Sequence, residues 1–326
     1  MTVHDEVWDC LGAWALDACD EAETRRVDNH LATCVVCRAE AARLRRVGDL
    51  IGLARPMAPP VASRSLVLGA ASAQMLASLV DSYRHRVEGF ASLLGSLSAR
   101  DWAAPLDQHG DVRGVVAHLH ANDRALLAAL DPDADAGDFT TDAGGSTTDA
   151  AVAWVRQARR LADRMAAPTA DLLSRQVPLV GRARVRRPVV DALVQRSFET
   201  WIHDDDVRGT LRLPGRPPAP AEVRRIVGLG VALIPFALAA SGRSRPGRVA
   251  HLELTGPGGG RWDAYLALDS PGPEASEPVC GIVAAATGFC RVMAGRLEPT
   301  ALGGVVTGDG AAAYDLLHAA STLGCD

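Results

Sequence analysis

The chain contains no lysine; all 34 of its basic residues are arginine. That absence excludes a lysine Schiff base, a pyridoxal-phosphate lysine, a P-loop lysine and the strand lysine of kinases. An excess of positive charge is also missing. The formal net charge is −5, which argues against a general nucleic-acid binder. No apolar run reaches the roughly 20 residues needed to span a bilayer. The longest, Ile226–Ala240, is interrupted by Pro235 and reads as a buried helix. Met1 to Asp17 lacks a basic segment followed by an apolar stretch, so no signal peptide is expected. Seven cysteines, an odd number, without a secretion signal make metal ligation a better expectation than a disulfide framework. The expected location is the cytoplasm, with no membrane partner.

The hydrophobic content of 48% is ample for real cores. At roughly 150 residues per domain the length suggests about two domains, but the punctuation divides the chain into three. Residues 1–54 end in the joint Arg55-Pro56-Met57-Ala58-Pro59-Pro60. Residues 65–213 carry apolar positions at helical spacing over Leu66–Leu97, Asp111–Leu130, Thr148–Ala166 and Pro188–Thr210. Four such helices, with a polar loop at Asp131–Ser146, predict a four-helix bundle. After the joint Leu213–Pro218, residues 219–326 change character. Val249–Thr255 and Arg261–Leu268 read as strands around Gly256-Pro257-Gly258-Gly259-Gly260. Helices are expected at Gly281–Met293 and Gly310–Leu323, with a short run at Gly303–Thr307 between them. The expected fold is mainly α: a small helical metal-binding head, a bundle, and an α+β C-terminal domain.

The sharpest local motif is His30-Leu31-Ala32-Thr33-Cys34-Val35-Val36-Cys37. On a helix His30 and Cys34 share a face, and Cys37 follows one turn later. Two thiolates and an imidazole fill three corners of a tetrahedral zinc site, and a closed structural site needs a fourth ligand. His4 and Cys10 are the candidates. A segment of this size has too small a core to be secure without a staple. With Ala13-Trp14-Ala15-Leu16-Asp17, Glu21-Ala22-Glu23 and the helix Arg38–Gly52, the segment resembles the zinc-binding anti-sigma factor domain. That resemblance implies structural zinc, places His4 as the fourth ligand, and implies a sigma factor as a partner.

A second constellation lies in the bundle. Glu199 and His203 are four apart on the fourth helix and project together, and His118 sits in an apolar run of the second. A two-His, one-carboxylate set leaves metal positions open for substrate. A Glu-x3-His pair recurs by chance, and a histidine on an apolar face is most often a core residue, so spacing alone leaves both readings open. His120 points away from His118, and His85 and His109 are expected to be solvated surface residues. Asp204, Asp205 and Asp206 are expected to form a solvated acidic helix end, with one of them a possible acceptor for a ligand imidazole.

Val112-Arg113-Gly114-Val115-Val116-Ala117-His118-Leu119 together with Glu199-Thr200-Trp201-Ile202-His203-Asp204-Asp205-Asp206 resembles the mycothiol-dependent maleylpyruvate isomerase family, within the DinB-like metal-binding bundles. Gly256-Pro257-Gly258-Gly259, Ala294-Gly295-Arg296 and Gly308-Asp309 resemble that family's second domain. The resemblance implies His118, Glu199 and His203 as ligands of zinc or another divalent metal, and mycothiol as the thiol cosubstrate. It also implies isomerase or S-transferase chemistry on an electrophilic substrate. Arg296 is the candidate anion clamp for catalysis and cofactor binding, because a guanidinium fork suits a carboxylate. A surface arginine is the alternative, and Arg196 is equally ambiguous. Two functions therefore compete: a metalloenzyme with a zinc-binding head, or an anti-sigma factor whose bundle senses a thiol or electrophile without turnover.

Overall fold

A computed structural model describes residues 3–53, 61–131, 147–167, 169–181, 185–268 and 277–324. The chain forms two compact units, Met1–Leu68 and Gly69–Asp326. The first contains helices α1 (Val3–Ala15), α2 (Glu21–Leu31) and α3 (Val35–Leu53). Asp20 caps α2 by accepting from Glu23 N, and the Glu23 side chain returns the bond to Asp20 N. This reciprocal box satisfies donors that the helix start leaves open. The core between the helices is small: Val7, Leu11, Val27, Cys37 and Ala41 are its buried apolar members. Trp14 is half-buried, donates to Asp28 Oδ1 at 3.0 Å and lies under the Arg45 guanidinium, whereas Trp8 is exposed.

The helices expected for the bundle are present as α4 (Val61–Ser96), α6 (Val112–Leu130), α7 (Thr147–Met165) and α9 (Val189–Thr210). Two short helices, α5 (Ala99–Trp102) and α8 (Ala170–Ser174), and a two-stranded ribbon, β1 (Gln176–Pro178) with β2 (Arg186–Pro188), are additional. The α7 helix shows a one-sided pattern, with Trp154, Ala158, Leu161, Ala162 and Met165 buried. The α9 helix differs: every residue from Ala192 to Asp204 is buried. A helix enclosed on all sides must satisfy its polar side chains internally, and α9 carries Arg196, Glu199, His203 and Asp204.

The rest of the second unit is α+β. Helix α10 (Pro220–Ala240) is followed by β3 (Arg248–Thr255), β4 (Gly260–Tyr265), β5 (Glu277–Ala285), α11 (Ala286–Met293), β6 (Val305–Gly308) and α12 (Gly310–Ala320). The sheet order is β4-β3-β5-β6, with β3 and β5 parallel and the other pairs antiparallel. Helix α10 is long and apolar enough to cross a membrane, but Val223, Ile226, Val227, Ile234 and Leu238 are buried and make it a core helix. The expected helix at Gly281–Met293 requires correction. Its first part is β5, because Val279, Ile282 and Val283 favour a strand that pairs in parallel with β3, and the helix begins only at Ala286. In the β3–β4 turn, Gly258 has φ +79° and a Cβ there would lie 2.5 Å from Pro220 O, so only glycine fits.

Candidate metal centres

In the first unit, His4 from α1, His30 from the last turn of α2, Cys34 and Cys37 offer ligand atoms that all lie within 4.8 Å of one another. His4 Nδ1 is 3.7 Å from Cys34 Sγ and 3.5 Å from Cys37 Sγ. Cys10, the other candidate, is not in the cluster; it packs beside the core. Cys34 directly precedes α3, and the backbone N–H of Cys37 holds its thiol below the ordinary range. Burial pushes the Cys37 thiol up, and the adjacent Cys34 adds to that. The donor set, two sulfurs and two imidazoles, matches a closed structural zinc site.

In the second unit, Asp111 caps α6 by accepting from Gly114 N at 2.9 Å. His118 follows two turns in and is partly buried; His203 projects from α9 and is 2% exposed. Their ring centroids are 5.2 Å apart, and His109 closes the triangle at 4.5 Å from His118 and 4.8 Å from His203. One ring nitrogen from each of the three histidines lies within 4.8 Å of the other two. His109 was expected to be a solvated surface residue. Instead the loop before α6 brings it beside His118 and His203.

Glu199 is adjacent to this cluster. Its Oε2 lies 3.7 Å from His118 Nε2 and accepts from Asn122 Nδ2 at 3.0 Å; Oε1 is held by Arg196. Arg196 and Glu199 are both enclosed, with side chains 1% exposed. Asp123, one residue beyond Asn122, accepts from Trp154 Nε1 at 3.1 Å. Burial raises its carboxyl to about 6 against the opposing effect of Arg196. Burial, together with the neighbouring His203 and His109, lowers His118 to about 3. The imidazole is therefore neutral across the physiological range, which is the form that ligates metals. Three imidazole nitrogens converging within 4.8 Å of one another fit a divalent ion.

The acidic run is not a solvated helix end. Asp204 is buried and pairs with Arg208 at 2.9 Å; Asp205 pairs with Arg291; Asp206 pairs with Arg296 at 2.9 Å. Two of these arginines belong to the α+β region, so the run joins it to α9. Asp206 Oδ2 is also 3.3 Å from His203 Nδ1. Burial raises the Asp206 carboxyl, but His203 and Arg296 outweigh it and hold it below its ordinary range. Arg296, the expected anion clamp, uses Nε and Nη2 on Asp206, and Nη1 donates to Ala294 O at 2.8 Å. It nonetheless lines a cavity of about 490 Å³ with His109, Asp205, Asp206, Arg291 and Glu298. Sequence reasoning missed His109, Asn122 and the Asp–Arg pairs. Gly110 and Gly114 flanking Asp111 were the available signal for a built loop beside His109.

A zinc-finger family model matches residues 5–38. No curated protein matches the sequence. Among solved structures, the chain is similar to a mycothiol-dependent maleylpyruvate isomerase and to a histidine-to-alanine mutant of it. Each shares 16% identity over 68% of this chain and 89% of that chain, with a TM-score of 0.45.

Proposed function

We propose that the second unit is a divalent-metal enzyme that uses a small-molecule thiol, working as a cis–trans isomerase or thiol S-transferase in the cytoplasm, with the finger as its zinc-binding regulatory head. The observation that carries this reading is the cluster of His109, His118 and His203, with His109 at the wall of a cavity. A divalent ion held there would lower the pKa of a thiol or polarise a substrate carbonyl. The chain's own residues orient and enclose. Asp206 lies 3.3 Å from His203 Nδ1, Asn122 and Arg196 fix Glu199, and Arg291 and Arg296, paired with Asp205 and Asp206, line the cavity wall. Among the described residues of this unit, neither thiol is set up as a nucleophile. Burial pushes Cys290 up to about 12 and raises Cys280 as well, so both stay protonated. The reading takes its thiol from outside the chain, and the motif resemblance points to mycothiol. The test is turnover with mycothiol and maleylpyruvate, or with a generic electrophile. Thiol-dependent isomerisation or thiol consumption is expected; neither in metal-loaded protein would overturn the reading.

The zinc-finger match favours a second reading. In it the first unit holds zinc through His4, His30, Cys34 and Cys37 and binds a sigma factor, while the bundle reports a thiol or electrophile without turnover. Capture of a sigma factor by the full chain, with no turnover, would decide for it.

A further inference from the structure

The geometry points to His109 as a ligand of the bundle metal, making the site a facet of three imidazoles, His109, His118 and His203, with Glu199 outside it. This rests on the metal reading above and departs from the His118, Glu199 and His203 set that the motifs imply. The first reason is convergence. One nitrogen from each of the three histidines lies within 4.8 Å of the others. Zinc bonds imidazole nitrogen at about 2.0–2.1 Å, so tetrahedral ligands stand roughly 3.4 Å apart. Small side-chain rotations close that difference.

The second reason is that the His109 loop is built. Leu106 and Gly110 exchange both backbone hydrogen bonds, at 3.1 and 3.0 Å. Gly110 turns the chain at φ +77°. A Cβ on Gly114 would lie 1.9 Å from His109 O, so glycine alone lets the loop seat against the start of α6. Asp111 caps that same start. Four local devices thus hold one histidine over the other two.

The third reason concerns Glu199. Arg196 engages one carboxylate oxygen and Asn122 the other, in a fully buried setting. Coordination through Oε2, the oxygen nearer His118, would have to take it from the buried Asn122 amide. The consequence is electrostatic. Three neutral ligands leave the ion its full double charge, whereas a carboxylate would cancel half of it. Such a site favours an anionic ligand, a thiolate or a carboxylate, at its open position.

The test compares cobalt affinity, by chelator competition, and the visible cobalt spectrum of the full chain carrying His30→Ala/Cys34→Ala, which leaves the bundle as the site read, with those of the same chain carrying His109→Gly or Glu199→Gln in addition. His109→Gly is expected to lose roughly 100-fold or more in affinity and to change the spectrum, with added imidazole restoring it. Glu199→Gln is expected to lose about 10-fold, as an outer residue does, with the spectrum retained. Thermal melting identifies any variant that fails to fold, and Gly114→Ala, which keeps every imidazole but displaces the loop, should weaken cobalt binding too. Unchanged affinity and spectrum in His109→Gly, with metal lost in Glu199→Gln, would overturn the inference and leave the metal reading intact. No cobalt bound by the wild-type bundle would overturn both.

Discussion

The two histidine-bearing sites are built in opposite ways. The finger draws three of its four ligands from an eight-residue stretch, around a core with five buried apolar residues among those described. The bundle cluster draws His109, His118 and His203 from a loop and two helices, and packs them over a polar network inside a large core. In the first the metal would hold the fold; in the second the fold holds the ligands. A structural site closes around its ion, whereas a site beside a cavity keeps a position for something else.

The largest expected effect follows from the finger's dependence on its staple. His30→Ala with Cys34→Ala should unfold the first unit entirely, because zinc binding contributes on the order of 10 kcal/mol to so small a domain. Limited proteolysis should then cut within residues 3–53 while the second unit's melting transition stays in place. The matching change in the bundle should cost less. Arg196→Met strands Glu199 as an uncompensated buried charge, and urea unfolding should show a loss of about 3–5 kcal/mol. A loss under 1 kcal/mol would mean the pair is hydrated.

A smaller effect concerns pH. Asp123 has its carboxyl raised from 3.8 to about 6 in the folded protein. The folded state therefore holds this proton more tightly than the unfolded chain. The resulting stabilisation is fully present below 3.8 and is lost as pH rises through about 6, up to about 3 kcal/mol. Asp123→Asn should abolish that component. Its stability relative to the wild type should be higher at pH 7.5 than at pH 4.0, and a constant difference would contradict the assignment.

What the sequence made legible tracks how local each feature is. His30, Cys34 and Cys37 are readable because helical spacing alone puts them together, while His4 needed a family resemblance. The four bundle helices were legible from apolar periodicity, to within a few residues at each end. His118, Glu199 and His203 stood out, but nothing in spacing showed that Arg196 and Asn122 would occupy the Glu199 carboxylate. His109 was illegible because its position depends on a glycine contact and a two-residue bridge. The acidic run was misread because its partners Arg291 and Arg296 lie some 90 residues downstream. The β5 strand was misread because a short apolar run has no period that separates strand from helix.

The central claim is that two independent metal sites exist, one that folds a domain and one that serves chemistry. Metal analysis of the full chain tests it most directly. The wild type should carry about two ions, and His30→Ala/Cys34→Ala and His118→Ala/His203→Ala about one each. Two ions retained by the His118→Ala/His203→Ala variant would contradict the claim.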